Sequence, residues 1–179
     1  MNQPSPEPGK PECPIEPPDH HHLNAAIGWL ELGNPTEAGE EIARLSPPLL
    51  DHPDVLEVRW AICAALQSWD AALAVAEVLV ARYPERDSGW VHRAYALRRV
   101  RGRGLEEAWA ALRPAFERFP KVPVIPYNLA CYACQFGRKE EAWEWLHKAM
   151  EAAGSVDKIK QMALADADLQ ELWDRLRSL

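Results

Sequence analysis

An all-α fold built from repeated helix-turn-helix units is what this sequence predicts, on three observations. A small-residue phrase returns along the chain. It is weak at Pro35-Thr36-Glu37-Ala38-Gly39 and clear at Trp69-Asp70-Ala71-Ala72-Leu73, Leu105-Glu106-Glu107-Ala108-Trp109 and Lys139-Glu140-Glu141-Ala142-Trp143. Its alanines stand at 38, 72, 108 and 142, spacings of 34, 36 and 34 residues. A fixed period in that range is the mark of stacked supersecondary units. Second, apolar residues recur at three and four places, as in Leu73, Ala76, Leu79 and Val80, which is the periodicity of a helix with one buried face. Third, no segment alternates apolar and polar residues between hairpin turns.

The elements follow in order. Residues 1–18 hold seven of the sixteen prolines and almost no large apolar side chains. Such a segment buries too little surface to offset its ordering entropy, so a disordered proline-rich tail is expected. Its lack of an apolar stretch also argues against a signal peptide. Helices are then expected at 20–32, 36–45, 54–67, 70–82, 87–100, 105–118, 124–135 and 139–152, with Asp19 as the first N-cap. Pro84 and Pro120 follow two of the alanines by twelve residues and separate one unit from the next, because proline cannot continue a helix. Gly137 supplies the permissive backbone of a tight turn. Ser46-Pro47-Pro48 stops the second helix early. Arg99 to Gly104, with two glycines and three arginines, reads as an exposed and mobile loop. Residues 154–179 supply one or two further helices, broken near Asp166 to Asp168. Their apolar face comprises Ile159, Met162, Leu164, Leu169, Leu172, Trp173 and Leu176. A run of stacked units exposes an apolar end unless something covers it, and this segment is the natural cap.

The fourth unit, Ile125-Pro126-Tyr127-Asn128-Leu129-Ala130-Cys131-Tyr132-Ala133-Cys134-Gln135-Phe136-Gly137-Arg138-Lys139-Glu140-Glu141-Ala142, resembles the tetratricopeptide repeat family most closely. That family repeats a helix-turn-helix every 34 residues. The resemblance spans about residues 19–153 and implies four repeats (19–52, 53–86, 87–122 and 123–153) in a right-handed superhelical solenoid, with 154–179 as the cap. It further implies that the first helix of each unit lines a concave groove. The matching positions are Leu23 and Ile27, then Glu57 and Ala61, then Val91, Tyr95, Arg98 and Arg99, and finally Tyr127, Cys131 and Cys134. The expected occupant is a protein or peptide segment, acidic where it meets Arg98 and Arg99. The clamp with which some relatives hold chaperone C-termini is not carried over, because Leu23, Ile27 and Val91 stand at its positions.

Composition bounds the function. At 179 residues and 47% apolar, the chain can bury a substantial core in one domain. A formal charge of −7 disfavours nucleic acid and anionic membranes, since phosphate binding needs clustered cations. The local exception is Arg93, Arg98, Arg99, Arg101 and Arg103 within eleven residues. Four cysteines form no dense framework, and a cytoplasmic home follows. Cys131 and Cys134 make a C-x-x-C in mid-helix, where a redox pair would lack the N-terminal dipole and a zinc ion would lack two ligands, so they read as packing residues. His20, His21 and His22 cannot converge on one ion as neighbours and read as the start of the first helix. The eight tryptophans fill space between helices, with one or two free to anchor a partner. No phosphate loop or nucleophile elbow occurs. Adjacent glutamates at 40–41, 106–107 and 140–141 sit near helix starts, where they favour the dipole. No catalysis and no cofactor is expected. The reading is an interaction module or adaptor; the alternative is a dedicated secretion-type chaperone for one protein substrate.

Overall fold

The structure, a computed structural model, describes residues 14–179, so the expectation for residues 1–13, Cys13 included, lies outside the described residues. Among the described residues there are helices and connecting turns and no strand. The chain divides into two compact units at 103/104, inside the turn of the third repeat, where the sequence suggests one continuous domain.

The first unit holds α1 (Asp19–Glu31), α2 (Pro35–Ala43), a 3₁₀ turn at Pro47–Leu49, α3 (Pro53–Ala65), α4 (Trp69–Arg82) and α5 (Asp87–Leu97). Successive helices pack on one another, and α3 also touches α1 and α5. The repeat alanines Ala38 and Ala72 are completely buried, which lets paired helices approach closely. Gly89 serves the same end between α4 and α5: a Cβ there would lie 2.9 Å from Leu79 Cβ. Leu23, Ala26, Ala38, Ile42, Val55 and Ile62 form one apolar cluster, and Leu56, Val75 and Leu79 another. Pro35 and Pro53 open their helices where a missing N–H costs nothing.

Two expectations near the N-terminus are corrected. The proline-rich tail is not wholly free of the fold, because Ile15, its large aliphatic residue, packs against the first cluster. Asp19 is not an N-cap: it is the first residue of α1, and its carboxylate accepts hydrogen bonds from Ser46 N (2.6 Å) and Ser46 Oγ (2.9 Å), tying α1 to the end of α2. The expected exposed loop after α5 is exposed at Arg101, Gly102 and Arg103, whereas Val100 is buried.

One turn recurs. After α1, Gly33 N donates to Leu30 O (2.9 Å) and Asn34 N to Trp29 O (2.8 Å). After α7, Gly137 N donates to Cys134 O (2.9 Å) and Arg138 N to Ala133 O (2.9 Å). This two-bond closure satisfies the last carbonyls of a helix and needs a left-handed residue. Gly33 and Gly137 have φ of 74°. After α3 the same bonds form at 3.0 and 2.8 Å, but the left-handed residue is Gln67, with φ of 56°. A side chain pays for that conformation with contact between Cβ and the following carbonyl, about 1–2 kcal/mol. Gln67 is exposed, so its side chain gains little burial to offset that cost. Gln67→Gly should therefore stabilise the chain by about 0.5–1 kcal/mol after the extra freedom of the unfolded glycine is subtracted, read as a raised urea midpoint at unchanged slope.

The second unit holds α6 (Leu105–Arg118), α7 (Val124–Gln135), α8 (Lys139–Ala153), α9 (Val156–Leu164), a 3₁₀ segment at Ala167–Leu172 and α10 (Trp173–Arg177). Ala108 and Ala142 are again fully buried, with Leu112, Ile125, Leu129 and Leu146 around them. Trp145 meets Trp109 and Phe116 edge-to-face at centroid distances of 6.2 and 5.0 Å, the preferred aromatic geometry. The C-terminal segment does more than close an end. α9 packs on α8, and the 3₁₀ segment turns back across α7. Leu169, Leu172 and Leu176 are buried there at 0, 3 and 0% exposure.

Candidate protein-binding face

The first-helix positions of the first unit are built on α1, α3 and α5. Residues 57, 60 and 61 share one side of α3, and residues 88, 92 and 95 share one side of α5, with Arg99 in the turn just beyond its end. Glu57 accepts hydrogen bonds from Ser88 Oγ and from His92, whose Nε2 lies 2.6 Å from Glu57 Oε2. The His92 ring lies flat on Trp60, 3.7 Å between centroids and 7° between planes. Tyr95 stands edge-on to Trp60 at 5.9 Å and tilted against Trp69 at 5.9 Å. The Arg99 guanidinium lies 3.5 Å from the centroid of Tyr95 and 5.2 Å from that of Trp69, and its Nη1 donates to Tyr95 O at 3.1 Å. Stacking of this kind keeps an arginine extended while its remaining N–H groups stay available. Beside it, Gln67, Ser68, Trp69, Asp70, Ala71, Arg99, Val100 and Arg101 line a cleft of 440 Å³.

The same contacts set the charge environment of Glu57. Burial pushes its carboxyl up, but the hydrogen bonds from His92 and Ser88, with the charges of His92 and Arg86, outweigh burial and hold it below the ordinary carboxylate value.

The expected surface residues divide sharply. Ile27 and Tyr95 are exposed at 39% and 37%, and Glu57, Ala61, Val91, Arg98 and Arg99 are half-buried. Leu23 is buried, at 6% exposure, within the first apolar cluster that α1, α2 and α3 share. Tyr127, Cys131 and Cys134 are also buried, at 7, 3 and 4% exposure. They face the chain's own C-terminal segment. Tyr127 Oη donates to Asp166 Oδ2 at 3.1 Å, Cys131 Sγ to the same oxygen at 3.5 Å, and Gln135 Nε2 to Asp168 O at 3.2 Å. Lys139 pairs with Glu171 at 2.8 Å and Arg175 with Glu140 at 2.8 Å. Burial, then the neighbouring Cys131 and Asp166, push the Tyr127 phenol far above its ordinary range. Burial likewise raises the Cys134 thiol. The chain's own C-terminal segment thus occupies the Tyr127, Cys131 and Cys134 side of α7, while Val124 stays exposed.

Reading of single residues missed Trp60, Trp69 and His92 as parts of this face. The signal was present for His92, which shares a helix side with Tyr95. The histidines at 20–22 splay as expected of neighbours: His22 Nδ1 lies 2.7 Å from Glu41 Oε2 on α2, while His20 lies beside Asn24.

No family model matches the chain, and no curated protein matches its sequence. Solved structures do. The chain is similar to TTC0263, a thermophilic TPR protein in Thermus thermophilus, at TM-score 0.66 and 19% identity, covering 90% of this chain and 100% of that one. It is similar to MamA from Desulfovibrio magneticus at TM-score 0.66 and 16% identity, over 93% and 97% of the two chains. It is also similar to YrrB, a TPR protein with an unusual peptide-binding site, at TM-score 0.58 and 16% identity over 75% and 69%. No helix among the described residues is long and apolar enough to cross a membrane. The 34-residue alanine period, the shared turn closures and these structural neighbours agree that the chain has the tetratricopeptide-like all-α fold.

Proposed function

We propose that this protein is an interaction module that holds an acidic peptide or protein segment on the α3–α5 face of its first unit, without catalysis and in the cytoplasm. The observation that carries the reading is the Arg99 guanidinium laid over Tyr95 beside Trp69, on a side where Tyr95 is exposed. Aromatic and arginine side chains held rigid by their neighbours lose little entropy on binding and dominate interface energetics. Arg98 and Arg101 extend the positive charge toward the 440 Å³ cleft, whereas the chain as a whole carries −7, so an acidic partner is drawn to this edge and repelled elsewhere. That YrrB is described as having a peptide-binding site adds support for the class of partner. The face of the second unit is the weaker candidate, since the 3₁₀ segment packs across α7 and Tyr127, Cys131 and Cys134 are buried.

A photoreactive residue in place of Tyr95 should crosslink a polypeptide in cells, and the same residue at buried Tyr127 should not. The crosslink should weaken about tenfold with Arg99→Glu and with added salt, as a screened contact does. No crosslink at position 95, or one indifferent to Arg99→Glu, would overturn the proposal. Recovery of one secreted substrate alone would identify the binder as a dedicated chaperone; a set of cytoplasmic proteins would identify an adaptor.

A further inference from the structure

We propose that Cys131, Asp166 and Asp168 form a binding site for a zinc-class divalent cation that pins the C-terminal segment onto α7. The C-x-x-C of α7 lacks further ligands in its own stretch of sequence. The fold supplies them from 35 residues downstream, where the chain turns back at the start of the 3₁₀ segment. The Sγ of Cys131 and one carboxylate oxygen from each aspartate all lie within 4.8 Å of one another. Cys131 Sγ is 3.5 Å from Asp166 Oδ2. In a tetrahedral site with a metal–sulfur bond of about 2.3 Å and a metal–oxygen bond of about 2.0 Å, sulfur and oxygen ligands stand about 3.5 Å apart. The same spacing serves the thiol hydrogen bond, so the cation takes the place of the proton with little movement of either atom.

The ligands are oriented before any ion arrives. Asp166 Oδ1 accepts the Asp168 backbone N–H at 3.0 Å, which holds the Asp166 carboxylate against the start of the 3₁₀ segment. Tyr127 Oη donates to Asp166 Oδ2 at 3.1 Å, and Gln135 Nε2 donates to Asp168 O at 3.2 Å. Hydrogen bonds of this outer kind hold ligands in place at metal sites. Charge points the same way. Asp166 is half-buried, and its partners are a phenol, a thiol and an amide, all neutral, with no ion pair to it among the described residues. A divalent ion would compensate that carboxylate.

The donor set selects the ion. One sulfur with two carboxylates disfavours magnesium and calcium, which take oxygen alone, and suits zinc, whose fourth position water would fill. Binding releases the Cys131 thiol proton to solvent, because the ligand is the thiolate. Ligands from α7 and from the segment that folds over it make the ion a staple between the two.

Cobalt titration of the full chain, kept reduced without a thiol reagent, tests the site. We expect one equivalent of Co²⁺ to give the near-ultraviolet thiolate-to-cobalt band, zinc to erase it, and zinc to raise the melting temperature. Cys131→Ala should abolish the band, and Asp168→Asn should shift its midpoint by about tenfold or more. Asp168→Asn keeps the Asp166 cap, and a metal-free circular dichroism melt of each variant separates lost ligation from lost folding. Cys63→Ala, Cys134→Ala and His21→Ala should leave the band unchanged. A folded wild-type chain without the band, a band that survives Cys131→Ala, or an unmoved midpoint in Asp168→Asn would each overturn the site.

Discussion

Leu169→Ala is expected to cost about 2–5 kcal/mol of stability, the range for truncating a fully buried leucine where the surroundings cannot collapse into the space. Leu169 has no exposed surface, and Leu176, also completely buried, belongs to the same returning segment. The segment is short: a nine-residue α9, a six-residue 3₁₀ stretch and a five-residue α10. Helices of that length do not stand alone in water, so their order depends on apolar contact with α7 and α8. Its exposed ion pairs, Lys139–Glu171 and Arg175–Glu140, add little. Denaturant unfolding should show the loss, and amide exchange should quicken first between residues 156 and 179. Leu179→Ala, at an exposed leucine of the same segment, should change stability by no more than about 0.5 kcal/mol. A Leu169→Ala loss as small as that of Leu179→Ala would mean that the segment is not held by its leucines. A looser segment would also uncover Tyr127, Cys131 and Cys134, so crosslinking from position 127 should appear in Leu169→Ala alone.

What was readable in advance divides along the range of the interactions. The alanines at 38, 72, 108 and 142 announced the helix pairs because each pair is local: a small residue and its neighbours lie within one repeat, and all four are fully buried. Gly137 announced its turn for the same reason. Gln67 did not, because no residue-type rule marks a glutamine as left-handed, even though its turn makes the same two bonds. The apolar face of residues 159–176 was visible as a helical pattern, but which surface it would cover was not. That choice depends on contacts across 35 or more positions, such as Tyr127 with Asp166. The matching of groove positions therefore carried Tyr127, Cys131 and Cys134 onto a surface that the chain itself occupies. On the first unit the matching fared differently: Tyr95 and Arg99 are on an open side, yet the platform under them rests on Trp60 and His92, which meet only because α3 and α5 lie side by side. Ser46 likewise takes Asp19 from a capping role, since a bond between residues 27 positions apart leaves no local mark.

Glu57→Ala should cost about 2–3 kcal/mol, because removing a charged hydrogen-bond partner leaves Ser88 and His92 unmet in a half-buried setting. Glu57 accepts from both, and His92 in turn stacks on Trp60, so the carboxylate orients the aromatic platform from beneath. The dependence on pH follows from the direction of its shift. The carboxyl is held below its ordinary value of 4.5 in the folded chain. A carboxylate of lowered pKa binds fewer protons folded than unfolded, so its contribution is fully present above the unfolded value and is lost as pH falls through the folded one. Glu57→Gln should therefore be less stable than the parent at neutral pH by about 1–2 kcal/mol, and the gap should close below about pH 4. Urea midpoints of the two chains across that range measure it, and comparing them cancels the titration of groups that do not interact with Glu57. A gap that stays constant with pH would mean that the glutamine loses shape rather than charge. Glu57 also separates two roles that its position confounds. If it contacts a partner directly, Glu57→Gln changes binding while the Trp60 indole N–H resonance of the free protein, resolved by NMR from those of the other seven tryptophans, stays as it was. If it acts through the platform, that resonance shifts in the free protein, and the affinity at Arg99 falls with it.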